Sequence, residues 1–372
     1  MLSQFRKWQI SLVSTKKIKK IKASLNTSGL LIPAVSTEIS VKHEKLWNGY
    51  GTKINTDWLR VYISISGIND FRFIPENIYY SEIEPRLNNK TFSKAYTDKN
   101  SYHRIIRNDV LPEILLRSIS GIFYTQDYMR IENANLYFDN IEASRSYIIK
   151  PSIEGGGGLD VRRVEFTGKQ LIITPVIDGI SSIEELFKYY KRDFVIQEYV
   201  KQHSFYYQFN SSSLNTVRIL TYRSLRNEEI VILQRVFRIG RPGSIVDNQA
   251  SGGIACGINS EGILSNFGVD KSGNKHFESG SCKFERAGKL QSIESIDSLA
   301  IELAGNFRYS RLLGMDFAVD VKGKVLLIEI NDSSNEINFY QMNNGPLFGD
   351  KSEEVADFCK REPKSFLIDF NL

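Results

Sequence analysis

Apolar positions in the middle and C-terminal parts of this chain come in short runs broken by polar and glycine-rich punctuation, which is the habit of strands. Tyr147-Ile-Ile-Lys150 closes on Pro151, and an alternating segment, Leu159 to Phe166, follows after a gap. Phe194-Val-Ile-Gln-Glu-Tyr-Val200 is an apolar strand that turns polar. Thr216 to Tyr222 and Ile230 to Arg238 are long β-rich runs carrying arginines. Two further apolar runs, within Leu312 to Asn331, flank Lys322-Gly323, a hairpin signature. Helical character is expected elsewhere. Residues 1 to about 45 read as polar helix, and a helix opens near Asp98, a plausible N-cap. Ser181-Ser-Ile-Glu-Glu carries a capping box that starts a helix to Tyr190, and another helix runs from about Ser295 to Tyr309. Leu46 to Asn89, rich in Tyr, Phe, Trp and Ile with interspersed Pro and Gly, reads as an irregular α/β piece. No internal repeat or low-complexity tract is present.

The gap after Pro151 holds four consecutive glycines, Gly155, Gly156, Gly157 and Gly158. Without Cβ atoms, successive backbone N–H groups can approach an anion closely. Lys150, at the end of the preceding strand, adds a point charge for phosphate oxygens. A mobile hairpin tip would use the same glycines, so this segment gains meaning only in company. Lys99 is a second candidate, because a lysine in the first turn of a helix opposes the dipole and is free to serve an external anion.

The C-terminal hairpin supplies that company. If Lys322-Gly323 are the two turn residues, Val321 faces Lys324, and counting outward sets Asp316 opposite Glu329 on one face. Asn331, two residues further, shares that face. A three-residue turn would shift the register and spoil the pairing. Two carboxylates a few ångströms apart repel by a few kcal/mol at an effective dielectric of about 20. A hard cation removes the conflict, and two carboxylates with an amide oxygen suit Mg²⁺, which takes phosphate oxygens as further ligands.

Composition narrows the class. The 372 residues, 41% hydrophobic and 24% charged, allow two or three subdomains and a large core. Three scattered cysteines, with no CxxC, imply neither a disulfide framework nor a zinc site and fit a reducing compartment. The N-terminal residues lack a signal-peptide core, and no run of about 18 apolar residues occurs, so a cytoplasmic location is expected. Much of the +5 net charge sits in Lys16-Lys-Ile-Lys-Lys-Ile-Lys22. That run reads as a solvated helix face, with contact to an anionic membrane the lesser alternative; no nucleic-acid motif accompanies it. A P-loop, GxGxxG, HExxH and GxSxG are all absent.

Taken in order, Lys99, Lys150 with its glycines, the end of the Phe194 strand, the arginine strands and the Asp316/Glu329/Asn331 set resemble the ATP-grasp superfamily. Leu214-Asn-Thr-Val-Arg-Ile219, Val246-Asp-Asn248 with Gly252-Gly253, and Gly345-Pro-Leu347 resemble its sugar-transfer-associated members, which occur among surface-polysaccharide biosynthesis functions. The resemblance covers roughly Asp98 to Phe348. It implies an α/β (α+β) ATP-grasp fold in which two α+β subdomains clamp ATP: an N-terminal helical and mixed extension over 1–97, a lid subdomain over 98–199, and a catalytic subdomain over 200–372.

The same resemblance assigns roles. Lys99 and Lys150 would contact the α- and β-phosphates, and Gly155 to Gly158 would close over the triphosphate. Gln197, Glu198, Tyr199 and Val200 would form the adenine hinge, and Asp316, Glu329 and Asn331 would hold Mg²⁺. Arg218 and Arg235 would neutralise the transferring phosphoryl group, and Asn248 with Gly252-Gly253 would supply amide donors near the intermediate. The implied activity is carboxylate–amine ligation through an acyl phosphate, joining a sugar acid or nucleotide sugar to an amino acid or amine. Phosphotransfer to a sugar or glycan hydroxyl is the alternative, and peripheral contact with membrane-associated glycan machinery is left open. One departure stands out: the usual Pro-Gly after the Glu-x-Asn motif is replaced by Asp332-Ser-Ser-Asn335.

Overall fold

The computed structural model describes residues 2–139, 145–153, 158, 160–167 and 170–367. Three helices lead the chain: α1 (Leu2–Thr27), α2 (Thr37–Trp47) and α3 (Asp57–Ser66). Short helical turns then run to Thr97, so the irregular α/β piece expected over Leu46 to Asn89 contains no strand among the described residues. Its aromatic residues serve as core filling instead: Trp47, Trp58, Tyr62, Phe73 and Tyr79 are fully buried.

A six-stranded antiparallel sheet follows. Its strands are β1 (Ile114–Ile119), β2 (Ile122–Tyr124), β3 (Ser146–Pro151), β4 (Arg162–Thr167), β5 (Gln170–Thr174) and β6 (Phe194–Glu198), in spatial order β2-β1-β6-β3-β4-β5. β1 and β2 precede the strand that the apolar runs predict near Ser146. The helix Ile183–Tyr190 packs on this sheet and has the expected capping box between Ser182 and Glu185.

The second sheet has seven strands: β7 (Thr216–Arg223), β8 (Ile230–Ile239), β9 (Ile254–Ile258), β10 (Leu264–Val269), β11 (Lys275–His276), β14 (Leu312–Val319) and β15 (Val325–Asn331). Their order is β11-β10-β9-β8-β7-β14-β15, and β12 (Glu278–Ser279) pairs with β13 (Cys282–Lys283) as a separate ribbon. One face of the large sheet is covered by the helix Ile293–Ala304 through Ile296, Leu299 and Leu303. The other meets the N-terminal helical turns and the helices Ile337–Asn344 and Ser352–Arg361. β14 is buried along its whole length, which explains its nearly unbroken apolar sequence.

The hairpin β14–β15 reaches the expected pairing by another route. Its turn has three residues, closed where the Asp320 N–H donates to the Lys324 carbonyl at 2.9 Å, with Gly323 at φ 83°. Near the tip Val319 therefore faces Val325, one step away from the expected register. A bulge at Ile328 then absorbs the extra residue, and Asp316 does face Glu329.

Candidate active site

The two sheets border a cleft of about 750 Å³. Register builds its floor. Arg218 on β7 lies opposite Asp316 on β14, which lies opposite Glu329 on β15, so the three side chains share one face. Arg238 on β8 joins them, because Val236 faces Arg218 and residue 238 repeats the same side of the strand.

Asp316 is clamped. Arg218 donates through Nε to Oδ1 at 2.6 Å and through Nη2 to Oδ2 at 2.5 Å, and Arg238 Nη1 reaches Oδ2 at 2.8 Å. Burial alone would raise this carboxyl's pKa, but the two guanidinium groups hold it below the ordinary carboxylate range. The second amino group of Arg238 contacts Asp247 at 3.2 Å and also donates to Asn248 Oδ1.

Glu329 meets Lys99 at 2.9 Å. Burial works against its charge, yet the Lys99 ammonium outweighs that and lowers its pKa. Lys150 Nζ donates to the Ile328 carbonyl at 3.3 Å, on the bulge itself. Burial and the neighbouring Lys99 bring the Lys150 ammonium down to about 7, against the pull of Glu329 and Asp316. Lys99 and Lys150 are both more than nine-tenths buried. Around Glu329 two lysines meet one carboxylate, a local excess that suits a polyphosphate.

Lys99 arrives where expected for a different reason. The helix begins at Tyr102, not Asp98, and lasts one turn. Asp98 instead closes a tight turn, accepting from the Asn100 N–H and the Ser101 hydroxyl, while the Lys99 N–H donates to the Ser152 carbonyl. That bond ties Lys99 to the exit of β3, beside Lys150.

Gln197, Glu198, Tyr199 and Val200 all line the cleft where β6 ends. The Tyr199 N–H is still paired, with the Ser146 carbonyl, whereas the Val200 N–H has no hydrogen bond among the described residues. A strand end with a free donor is the kind of edge a planar base can meet.

Two expectations are corrected. Arg235 points to the opposite face of β8, where Asp297 of the helix Ile293–Ala304 holds it in a two-pronged pair at 2.8 to 3.0 Å; Arg238, three residues on, occupies the cleft. Gly252 and Gly253 donate their N–H groups within their own loop, to the Gln249 and Asn248 carbonyls, so neither points a donor at the cleft. Gly155, Gly156 and Gly157 lie outside the described residues. Gly158 is described, at φ 72°, and the Asn248 amide sits where its Cβ would be.

The donors fit a hard cation. Among the described residues no three His, Cys, Asp or Glu side chains form a metal-binding group, so the set rests on Glu329, Asn331 and Asp316. The Asn331 amide nitrogen is buried without a hydrogen-bond partner, which leaves its orientation unfixed and its oxygen available. Both oxygens of Asp316 already accept from arginines, so it could add only its remaining lone pairs.

Beyond Asn331 the unusual Asp332-Ser-Ser-Asn335 stretch is anchored by buried groups that the sequence reading missed. Asp332 pairs with Lys90 at 2.6 Å, and Asn88 Nδ2 donates to its carbonyl at 2.6 Å. Glu84 accepts from the Ser334 and Asn335 N–H groups at 3.2 and 3.4 Å. Burial raises the Glu84 carboxyl to about 7, with Lys90 opposing. The cleft is also walled by Ile10, Val13 and Lys17 of α1 with Glu76, Tyr80 and Glu336, and Lys17 pairs with Glu76 at 2.6 Å.

A cleft between two antiparallel sheets that gathers two buried lysines at Glu329 and two arginines at Asp316 is the arrangement expected of an ATP-grasp protein. A family model described as sugar-transfer associated ATP-grasp matches residues 79–356, and the chain belongs to that family. No curated protein matches the chain. Among solved structures, N5-carboxyaminoimidazole synthetase from Staphylococcus aureus, complexed with ADP, matches at 10% identity and TM-score 0.38, over 70% of this chain and 52% of that one. The biotin carboxylase domain of Hydrogenobacter thermophilus 2-oxoglutarate carboxylase matches at 14% identity and TM-score 0.39, over 72% and 46%. D-alanine–D-alanine ligase from Bacillus anthracis matches at 12% identity and TM-score 0.37, over 71% and 66%. The chain thus spans about half the length of the first of these.

Proposed function

We propose that this chain is an ATP-dependent carboxylate–amine ligase that joins a sugar acid or nucleotide sugar to an amino acid or other amine. The observation that carries the reading is the meeting of Lys99, Lys150 and Glu329 at one end of the cleft, next to the open end of β6. In this reading the adenine lies against Gln197, Glu198, Tyr199 and Val200. Lys99 and Lys150 hold the phosphates, and Gly158, which closes the glycine run, lines the same cleft. Glu329 and Asn331, assisted by Asp316, would hold Mg²⁺, which when bound offsets charge between neighbouring phosphates. Arg218 and Arg238, on the floor beside Asp316 and Glu329, offset the charge that builds on the transferring group.

The substrate carboxylate attacks the γ-phosphorus, the bond to ADP breaks, and an acyl phosphate forms. The amine then attacks the acyl carbon and phosphate leaves. The chain's part is to orient two anions that repel and to exclude water from the acyl phosphate. Glu336, which lines the same cleft, would draw in the amine as its ammonium, which gives up a proton to water before the neutral nitrogen attacks. Family membership supports the link to sugar transfer, and three unpaired cysteines fit a reducing, cytoplasmic setting. The test is product stoichiometry with Mg²⁺. ADP and phosphate should appear in equal amounts, and only when acid and amine are both supplied. A phosphorylated sugar with no free phosphate would replace this reading with phosphotransfer.

A further inference from the structure

We propose that the outer face of α1 seats this protein on an anionic membrane surface. A helix packed on a globular core buries one apolar stripe and shows water a polar back. α1 buries Ile10, Ile18, Ile21 and Leu25, yet carries a second apolar stripe outward: Leu2 is 71% exposed, Phe5 54%, Trp8 57% and Leu12 40%. The rings of Phe5 and Trp8 stack at 5.7 Å, so the stripe is a continuous patch. Lys16, Lys19 and Lys20 extend it. At about 100° per residue, all seven positions fall within a sector roughly 120° wide.

The charges on this helix are sorted. Its sequence contains no Asp or Glu. Lys7, Lys17 and Lys22 turn inward to Glu82, Glu76 and Asp57 at 2.8, 2.6 and 2.8 Å. Lys16, Lys19 and Lys20 remain exposed, with no ion pair among the described residues. An aromatic and aliphatic stripe continued by lysines matches the boundary between acyl chains and anionic headgroups. Nucleic acid has no use for the apolar half. A second copy would bring lysines against lysines. Insertion across the bilayer is not at issue, since no described helix is long and apolar enough to span it. Val13, 56% exposed at the edge of the stripe, also lines the cleft, so seating brings the α1 wall of the cleft beside the headgroup layer.

Tryptophan fluorescence of the full chain tests this directly, because Trp47 and Trp58 are fully buried and Trp8 is exposed. With vesicles of phosphatidylcholine and phosphatidylglycerol, emission should shift to the blue and the protein should co-sediment. Phosphatidylcholine alone should give little of either, and raised salt should weaken binding. Joint Lys16→Gln, Lys19→Gln and Lys20→Gln substitution should lower partitioning by roughly tenfold or more. Phe5→Ser with Leu12→Ser should abolish the blue shift while leaving thermal unfolding and ATP turnover in solution unchanged. Trp8 staying open to an aqueous quencher beside anionic vesicles at low salt would overturn the proposal. So would binding that neither variant weakens, self-association that buries Trp8 without lipid, or a preference for an oligonucleotide over the vesicles.

Discussion

Among single residues, Arg235 and Arg238 divide the two faces of β8: Asp297 holds the first against a helix, and Asp316 holds the second in the cleft. Both end the same apolar run, and alternation alone cannot say which of two opposite-facing arginines enters the cleft; only pairing with Arg218 on β7 decides it. Asp316 and Glu329 were legible because each interrupts an apolar strand with a charge. Glu84 and Asp332 were not, since a buried acid in a helical turn or loop looks like any surface acid until its partners are known. Glu84 yields a pH test. Its folded pKa, about 7, lies above the ordinary glutamate range because of burial. The folded state therefore binds a proton the unfolded chain releases. That contribution is complete below about pH 4.5 and is lost as pH rises through 7, a change on the order of 3 kcal/mol. Glu84→Gln keeps an acceptor for Ser334 and Asn335 without the charge. Its melting point relative to wild type should rise from pH 5 to about pH 7 and level off above that; an offset that stays constant with pH would reject a buried, ionising Glu84.

Among elements, the C-terminal hairpin joined a wrong turn to a right pairing. Val321-Lys322-Gly323 form a three-residue turn, and the bulge at Ile328 restores the face that carries Glu329. Bulges leave no simple mark in sequence, since Ile328 is as apolar as its neighbours. The helix expected at Asp98 failed similarly: Asp98 caps a turn as readily as a helix, and the hydrogen bonds that decide are tertiary. The junction between the glycine segment and the Val246–Asn248 loop gives an element-level prediction. Gly158 has a left-handed φ and no room for a Cβ against Asn248. Gly158→Ala should raise the KM for ATP several-fold and lower the melting temperature by only a few degrees, because left-handed alanine costs about 1–2 kcal/mol. Unchanged ATP kinetics would separate this junction from nucleotide binding.

At the scale of the whole molecule, the order of chemical residues along the chain was more legible than the architecture that gathers them. Lys99, Lys150, Glu198, Arg218, Asp316 and Glu329 come from six separate segments, and all line one cleft. The part of α1 in that cleft was not legible. Ile10 and Lys17 look like ordinary members of a basic amphipathic helix, and only packing against Glu76 and Tyr80 makes them a wall. Hydroxylamine distinguishes a ligase from a phosphotransferase, since it intercepts an acyl phosphate as a hydroxamate. With ATP, Mg²⁺ and the acid substrate, hydroxylamine should replace the amine, sustain ADP release and yield hydroxamate in step with it. Lys150→Ala should suppress both signals, and Lys150→Arg should restore them only in part, because a planar fork does not reproduce a compact ammonium. Steady ADP release with a phosphorylated hydroxyl product, and no hydroxamate from any acid supplied, would contradict the account.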